Sequence, residues 1–281
     1  MLKSVRYSGA VLALLSALGL STQAFADMPK DEKALTEFII KTMNENSSVI
    51  LDNAQKASRL RQTETLRQQW LKDKEEKKEL GINGRPVLGD DSAKVIIYEF
   101  ANFNCDHCRA AKATINGILQ EFKGQVKLVL KCIPGDAPSP SLSAARYFLA
   151  IAAQNKTEAW RFYDVVTDNQ ELLRQHGETY LKGIINGLKI DKSKFALDLY
   201  NDTKIQTILK EDREESEKYK VRGTPCFFVN NVVIRGSVPP EMFREALKTA
   251  MENTNATSAN APKDEKDKKE KDKKDKGKKK D

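Results

Sequence analysis

The chain has 281 residues, 40% of them hydrophobic and 31% charged, with four cysteines and a formal charge of +8. A chain of this length buries a conventional core, and four cysteines are too few for a small disulfide-stapled scaffold, so their role is chemistry rather than stapling. The charge is uneven: Lys263 to Asp281 sets eleven Lys against seven acids, and Lys3 and Arg6 add two more positives. The rest is nearly neutral, so basicity gives no ground for nucleic-acid binding.

In chain order, residues 1–26 read as a secretory signal peptide. Lys3 and Arg6 precede an apolar run from Gly9 to Leu20, and Ala24-Phe25-Ala26 is a small-x-small cleavage signal before Asp27. The run is shorter than the roughly 20 residues a membrane span needs. Export places the cysteines where disulfides form and persist. Residues 27–80 read as an N-terminal helical region. Leu35, Phe38, Ile39 and Met43 share one face, Asn46 to Ser48 mark a break, and Val49, Ile50, Ala54, Ala57 and Leu60 share a second. Beyond Leu60 the stripe thins to Leu66, Trp70 and Leu71, and Lys72 to Glu79 is almost wholly charged. So thin a stripe suits a solvated helix or one paired with another copy, and packing on the protein's own body is the other reading.

Gly81 to Asp91 reads as a linker into the main domain, residues 81–251. Val95 to Phe100 is a buried strand with one acid, Glu99, inside it. Asp106 to Phe122 is predicted helical and Val126 to Leu130 a strand, which gives a parallel pair with a right-handed crossover. From about 141 to 219 there are helical patterns and no convincing strand. These include Leu142 to Gln154, Glu158 to Thr167, Thr179 to Leu188 and Lys204 to Tyr219. Cys226 to Val229, the Asn230-Asn231 turn and Val232 to Arg235 form a hairpin, and Glu241 to Met251 a last helix after two prolines. Residues 252–281 cannot bury a core and read as a disordered, solvated tail.

Cys105-Asp106-His107-Cys108 lies between a buried strand and a helix start. Two cysteines so spaced close a disulfide within one turn. The unpaired N–H groups and positive dipole end of the helix favour a thiolate at the first sulfur. The thiolate is the form that attacks disulfides. His107 adds a second donor, and a positive charge when protonated, whereas the Asp106 carboxylate opposes ionisation of Cys105. A tetrahedral zinc site needs two further ligands, and Cys132, Cys226, His107 and His176 provide no second close pair, so no metal or other cofactor is expected. Glu99, alone in an apolar strand, must be protonated, paired or functional. Gly223-Thr224-Pro225, directly before a strand, suggests a cis peptide at Pro225.

Together Val95 to Cys108, the helical insertion and Thr224-Pro225 resemble the DsbA-like family of thiol:disulfide oxidoreductases. The resemblance spans Val87 to Met251. It implies a thioredoxin-like α/β fold with an inserted helical domain, here preceded by an N-terminal helical oligomerisation region. That added region is similar in layout to the suppressor-of-copper-sensitivity protein C branch. By the resemblance Cys105 is the exposed nucleophile, Cys108 the buried resolving thiol, His107 a tuning residue and Glu99 the acid that moves protons at Cys108. Thr224 and cis Pro225 border the substrate groove. The resemblance also implies periplasmic localisation, exported proteins as substrates, a membrane redox partner and a homo-oligomer built through Pro29 to Leu80. Asp106 where the oxidases carry Pro, and Thr224 before the proline, lean toward an isomerase. A monomeric DsbA-type oxidase is the alternative, and a non-enzymatic holdase or surface protein is the alternative of another class. Cys132 and Cys226 are expected as buried, unpaired thiols, because their strands flank the central one on opposite sides and neighbouring strands lie about 4.8 Å apart.

Overall fold

The computed structural model describes residues 29, 31–135 and 138–259. Residues 1–26, read as a signal peptide, and the lysine-rich run from Lys263 lie outside them. The chain divides into two compact units at Leu66/Arg67.

In the first unit, α1 (Glu32–Glu45) opens where Asp31 Oδ1 accepts the Ala34 N–H at 2.9 Å. It ends at Asn46, and α2 (Ser47–Asp73) starts directly after. Residues 51–62 of α2 are exposed on every side, and Ile40, Met43, Val49, Leu51 and Leu60 all face solvent.

The second unit begins with the last residues of α2. Trp70 is 1% exposed and Asp73 is buried, so the sequence boundary at Gly81 falls inside this unit. Beyond Asp73 the charged stretch, Lys74 to Glu79, does not continue the helix. Lys78 Nζ donates to the Asp73 carbonyl, and Asn231 takes the Lys78 N–H at 3.0 Å while donating to Lys74 O at 3.1 Å. These long-range partners satisfy backbone groups that another helical turn would need.

The sheet order is β1-β3-β2-β4-β5. Its strands are β1 (Val87–Gly89), β2 (Val95–Ala101), β3 (Val126–Cys132), β4 (Cys226–Val229) and β5 (Val232–Arg235). β2 and β3 are parallel, while β1 on β3, β4 on β2 and β5 on β4 are antiparallel. Strand β1 lies where the sequence reads as linker. Three residues carry no alternation to read, and only pairing with the β3 edge makes them a strand. At Gly89, with φ +110°, a Cβ would stand 3.1 Å from the Val126 carbonyl, so glycine permits the close approach.

Helices α3 (Asp106–Glu121) and α9 (Pro240–Ala259) cover one face of the sheet, with Phe227 and Phe243 edge to face at 5.2 Å. The insertion comprises α4 (Pro140–Ala152), α5 (Lys156–Asp168), α6 (Gln170–Asn186), α7 (Lys192–Tyr200) and α8 (Thr203–Lys218). Helix α6 is kinked at Gly177, φ 49°, which explains why periodicity resumes only near Thr179. Helix α9 runs past Met251 into the stretch read as disordered, because nothing before Pro262 breaks it.

Helix α8 lies against the other face through a buried ionic cluster. Asp212 Oδ1 accepts from Arg85 Nε at 2.8 Å and lies 3.4 Å from Lys131 Nζ, which is 2.5 Å from Glu215. Asp212 Oδ2 accepts the Cys132 N–H at 2.8 Å. Lys131 pairs across β2 with Phe100, and Glu99 with Leu130, so strand alternation puts Lys131 and Glu99 on opposite faces.

Candidate active site

Strand β2 delivers the chain into a turn organised by Asn102. Its carbonyl accepts the Cys105 N–H at 3.0 Å, its Oδ1 accepts from Asn104 N at 2.8 Å and Ser141 Oγ at 2.7 Å, and its Nδ2 donates to Ile133 O at 3.0 Å. Phe103 anchors the same turn in the insertion, edge to face with Phe148 at 5.8 Å and Tyr163 at 5.7 Å.

Cys105 is the N-cap of α3. Its Sγ accepts the Cys108 N–H at 3.4 Å and donates to the Thr224 carbonyl at 3.2 Å. The Thr224–Pro225 peptide is cis, so Pro225 turns at the sulfur before β4 starts. Cys105 is half-buried, whereas Cys108 is 1% exposed. Burial pushes the Cys108 thiol well up, and the nearby Glu99 and Cys105 add to this against an opposing backbone hydrogen bond from Asn102. One sulfur is therefore presented at a helix N-terminus and the other is held as a thiol beneath it.

Glu99 lies on the α3 face of β2, 2% exposed, and burial raises its pKa to about 8. It lines a cavity of about 50 Å³ with Lys112, Asn116, Trp160, Tyr163 and Asp164. That space admits a water molecule, and the Trp160 Nε1 donor has no protein partner among the described residues. At neutral pH Glu99 is mostly protonated and close enough for its charge to act on the Cys108 thiol.

A family model described as thioredoxin matches residues 82–249, the larger part of the chain. The chain belongs to the thioredoxin family. Within it the chain is a DsbA-like thiol:disulfide oxidoreductase. It is 33% identical over 150 residues to a probable disulfide bond formation protein D of Bacillus cereus, covering 51% of this chain and 68% of that one. A thioredoxin-like oxidoreductase from Silicibacter pomeroyi DSS-3 aligns at 25% identity with TM-score 0.52, over 60% of this chain and 94% of that one. The oxidised BdbD of Bacillus subtilis has the same fold, at 22% identity and TM-score 0.55, over 63% of this chain and 97% of that one.

The fold brings Cys105, Cys108, Glu99, Thr224 and Pro225 to one end of β2. His107 is exposed and makes no hydrogen bond among the described residues. Cys132 and Cys226 are buried free thiols, in register with Ala101 and Phe100 on opposite sides of β2. No three His, Cys, Asp or Glu side chains converge as a metal set among the described residues. Sequence reasoning missed Asn102, Gln170 and Arg174, which hold the active-site turn. An Asn after a strand signals a turn, but partners 31 to 70 residues away leave no local pattern.

Proposed function

We propose that the chain is exported by residues 1–26 into the periplasm and exchanges disulfides with exported proteins there, with Cys105 as nucleophile, as an oligomeric isomerase. The observation that carries this reading is the asymmetry of the cysteine pair: an accessible Sγ at a helix N-terminus against the Thr224 carbonyl, and a buried thiol that resists ionisation.

In isomerisation the Cys105 thiolate attacks one sulfur of a wrong client disulfide. The other client sulfur leaves as a thiolate, re-attacks a different client disulfide, and a client thiolate finally displaces Cys105. In oxidation a client thiolate attacks Cys105 of the Cys105–Cys108 disulfide, and Cys108 leaves as a thiolate. Glu99 gives that sulfur its proton and recovers one through the cavity. A second client thiolate then attacks the client sulfur of the mixed disulfide and releases Cys105 reduced. Thr224 and Pro225 border the groove for the extended client segment, and His107 offers an imidazole donor in the turn after Cys105. A membrane redox partner returns the pair to its working state.

Exposed Ile40, Met43, Val49, Leu51 and Leu60 support association of α1 and α2 between copies, because isolated helices this thin in core contacts gain from a partner. The name of the B. cereus relative favours the second reading, a disulfide oxidase.

The test is reactivation of a scrambled-disulfide substrate by the mature protein, by Cys105→Ser, and by a Leu51→Lys/Leu60→Lys variant with its mass measured in solution. Loss with Cys105→Ser, and loss together with dissociation in the double variant, supports the oligomeric isomerase. Reactivation that survives Cys105→Ser overturns the site. An intact protein that oxidises reduced clients but never reactivates scrambled ones leaves the oxidase.

A further inference from the structure

Taken alone, the Asp106 carboxylate next to Cys105 disfavours a thiolate there. The fold supplies it with a cation from the helical insertion. The first turns of α6 lie on the active-site turn: Gln170 Nε2 donates to both the Phe103 and Cys105 carbonyls at 3.0 Å. One turn on, Arg174 donates to Asn104 Oδ1 at 3.0 Å and to Asp106 Oδ1 at 3.3 Å, and its Nε donates to Glu171 at 3.2 Å. Arg109 on α3 stands 3.8 Å from the same Asp106 oxygen. Gln170 is 2% exposed, so the guanidinium projects from an anchored base.

We propose that Arg174 is a positioning residue of the Cys105 site: by pairing with Asp106 it cancels that carboxylate's opposition to the thiolate and so sets the redox poise of the Cys105–Cys108 pair. The inference rests on Cys105 being the nucleophile. It ties the insertion to the chemistry, because the charge balance at Cys105 then depends on α6 staying seated on the turn. Other ionisable groups on the elements packed round Cys105 include His107, Cys108, Arg109 and Lys112 on α3, Glu171 and His176 on α6, Glu99 on β2, and Lys220 and Arg222 in the loop before Pro225.

Asp106 and Arg174 keep 61% and 35% of their side-chain surface exposed, so the effect is of surface-pair size and salt-sensitive. The experiment is a double-mutant cycle of wild type, Arg174→Gln, Asp106→Asn and the combination. Thiolate absorbance is followed against pH in the reduced proteins, and the equilibrium with glutathione is measured at low and high salt. Arg174→Gln is expected to move the Cys105 titration to higher pH and to shift the glutathione equilibrium toward the disulfide by about two- to fivefold. The change should shrink in 1 M salt and largely vanish in the Asp106→Asn background, and Arg174→Lys should restore most of it. An equal effect of Arg174→Gln with and without Asp106, or no effect on either readout, overturns the proposal. A titration that survives Cys105→Ser instead identifies a failure of the nucleophile assignment.

Discussion

Ionising the buried Glu99 costs the fold stability, and replacing it with Gln exposes that cost. Its pKa is about 8 in the folded chain against 4.5 for the unperturbed group, with burial as the cause. Between those values the folded state holds a proton that the unfolded state has released, so stability falls as pH rises from about 4.5 to 8. Between pH 5 and 8.5 the loss amounts to about 4 kcal/mol at about 1.4 kcal/mol per pKa unit. Water entering the cavity beside Glu99 would reduce it. Glu99→Gln keeps the shape and never ionises. Urea unfolding of the reduced proteins at both pH values is the assay, since groups common to both cancel in the comparison. The variant should gain on wild type by a few kcal/mol on going to pH 8.5, while turnover that needs a proton at Cys108 slows. A stability difference independent of pH would refute the buried, protonated Glu99 and with it the proton role assigned above.

Alkylation of the folded, reduced protein at pH 8 should label Cys105 first. Burial raises Cys226 to about 11 and Cys132 well above the usual thiol range, and mass mapping reads the order. Early labelling of Cys226 would require an opening of β4. Asp212→Ala removes the carboxylate shared by the buried Arg85 and Lys131, leaving them only Glu211 and Glu215 as ionic partners, and should cost about 3–5 kcal/mol in urea unfolding. Trp70→Ala should cost about 3–5 kcal/mol, although residue 70 precedes the boundary that composition suggests. A change below about 0.5 kcal/mol would show that the end of α2 is not part of the body.

The sequence alone determined the features that follow from local chemistry. An apolar run with Glu99 inside it, a Cys-x-x-Cys at a helix start and a Thr-Pro before a strand specify β2, the head of α3 and the turn into β4 through residue types at short spacing. The hairpin at Asn230 was legible for the same reason, since Asn tolerates its φ of 52°. The remaining features depend on partners far apart in the chain. Strand β1 exists because β3 offers an unpaired edge, and α2 stops at Asp73 because Lys78 and Asn231 take its neighbouring backbone groups. Asp106, read locally as an opposing charge beside Cys105, meets Arg174 from a helix 68 residues away. A carboxylate's effect depends on its nearest cation in space, and that distance is set by how the insertion seats on the sheet.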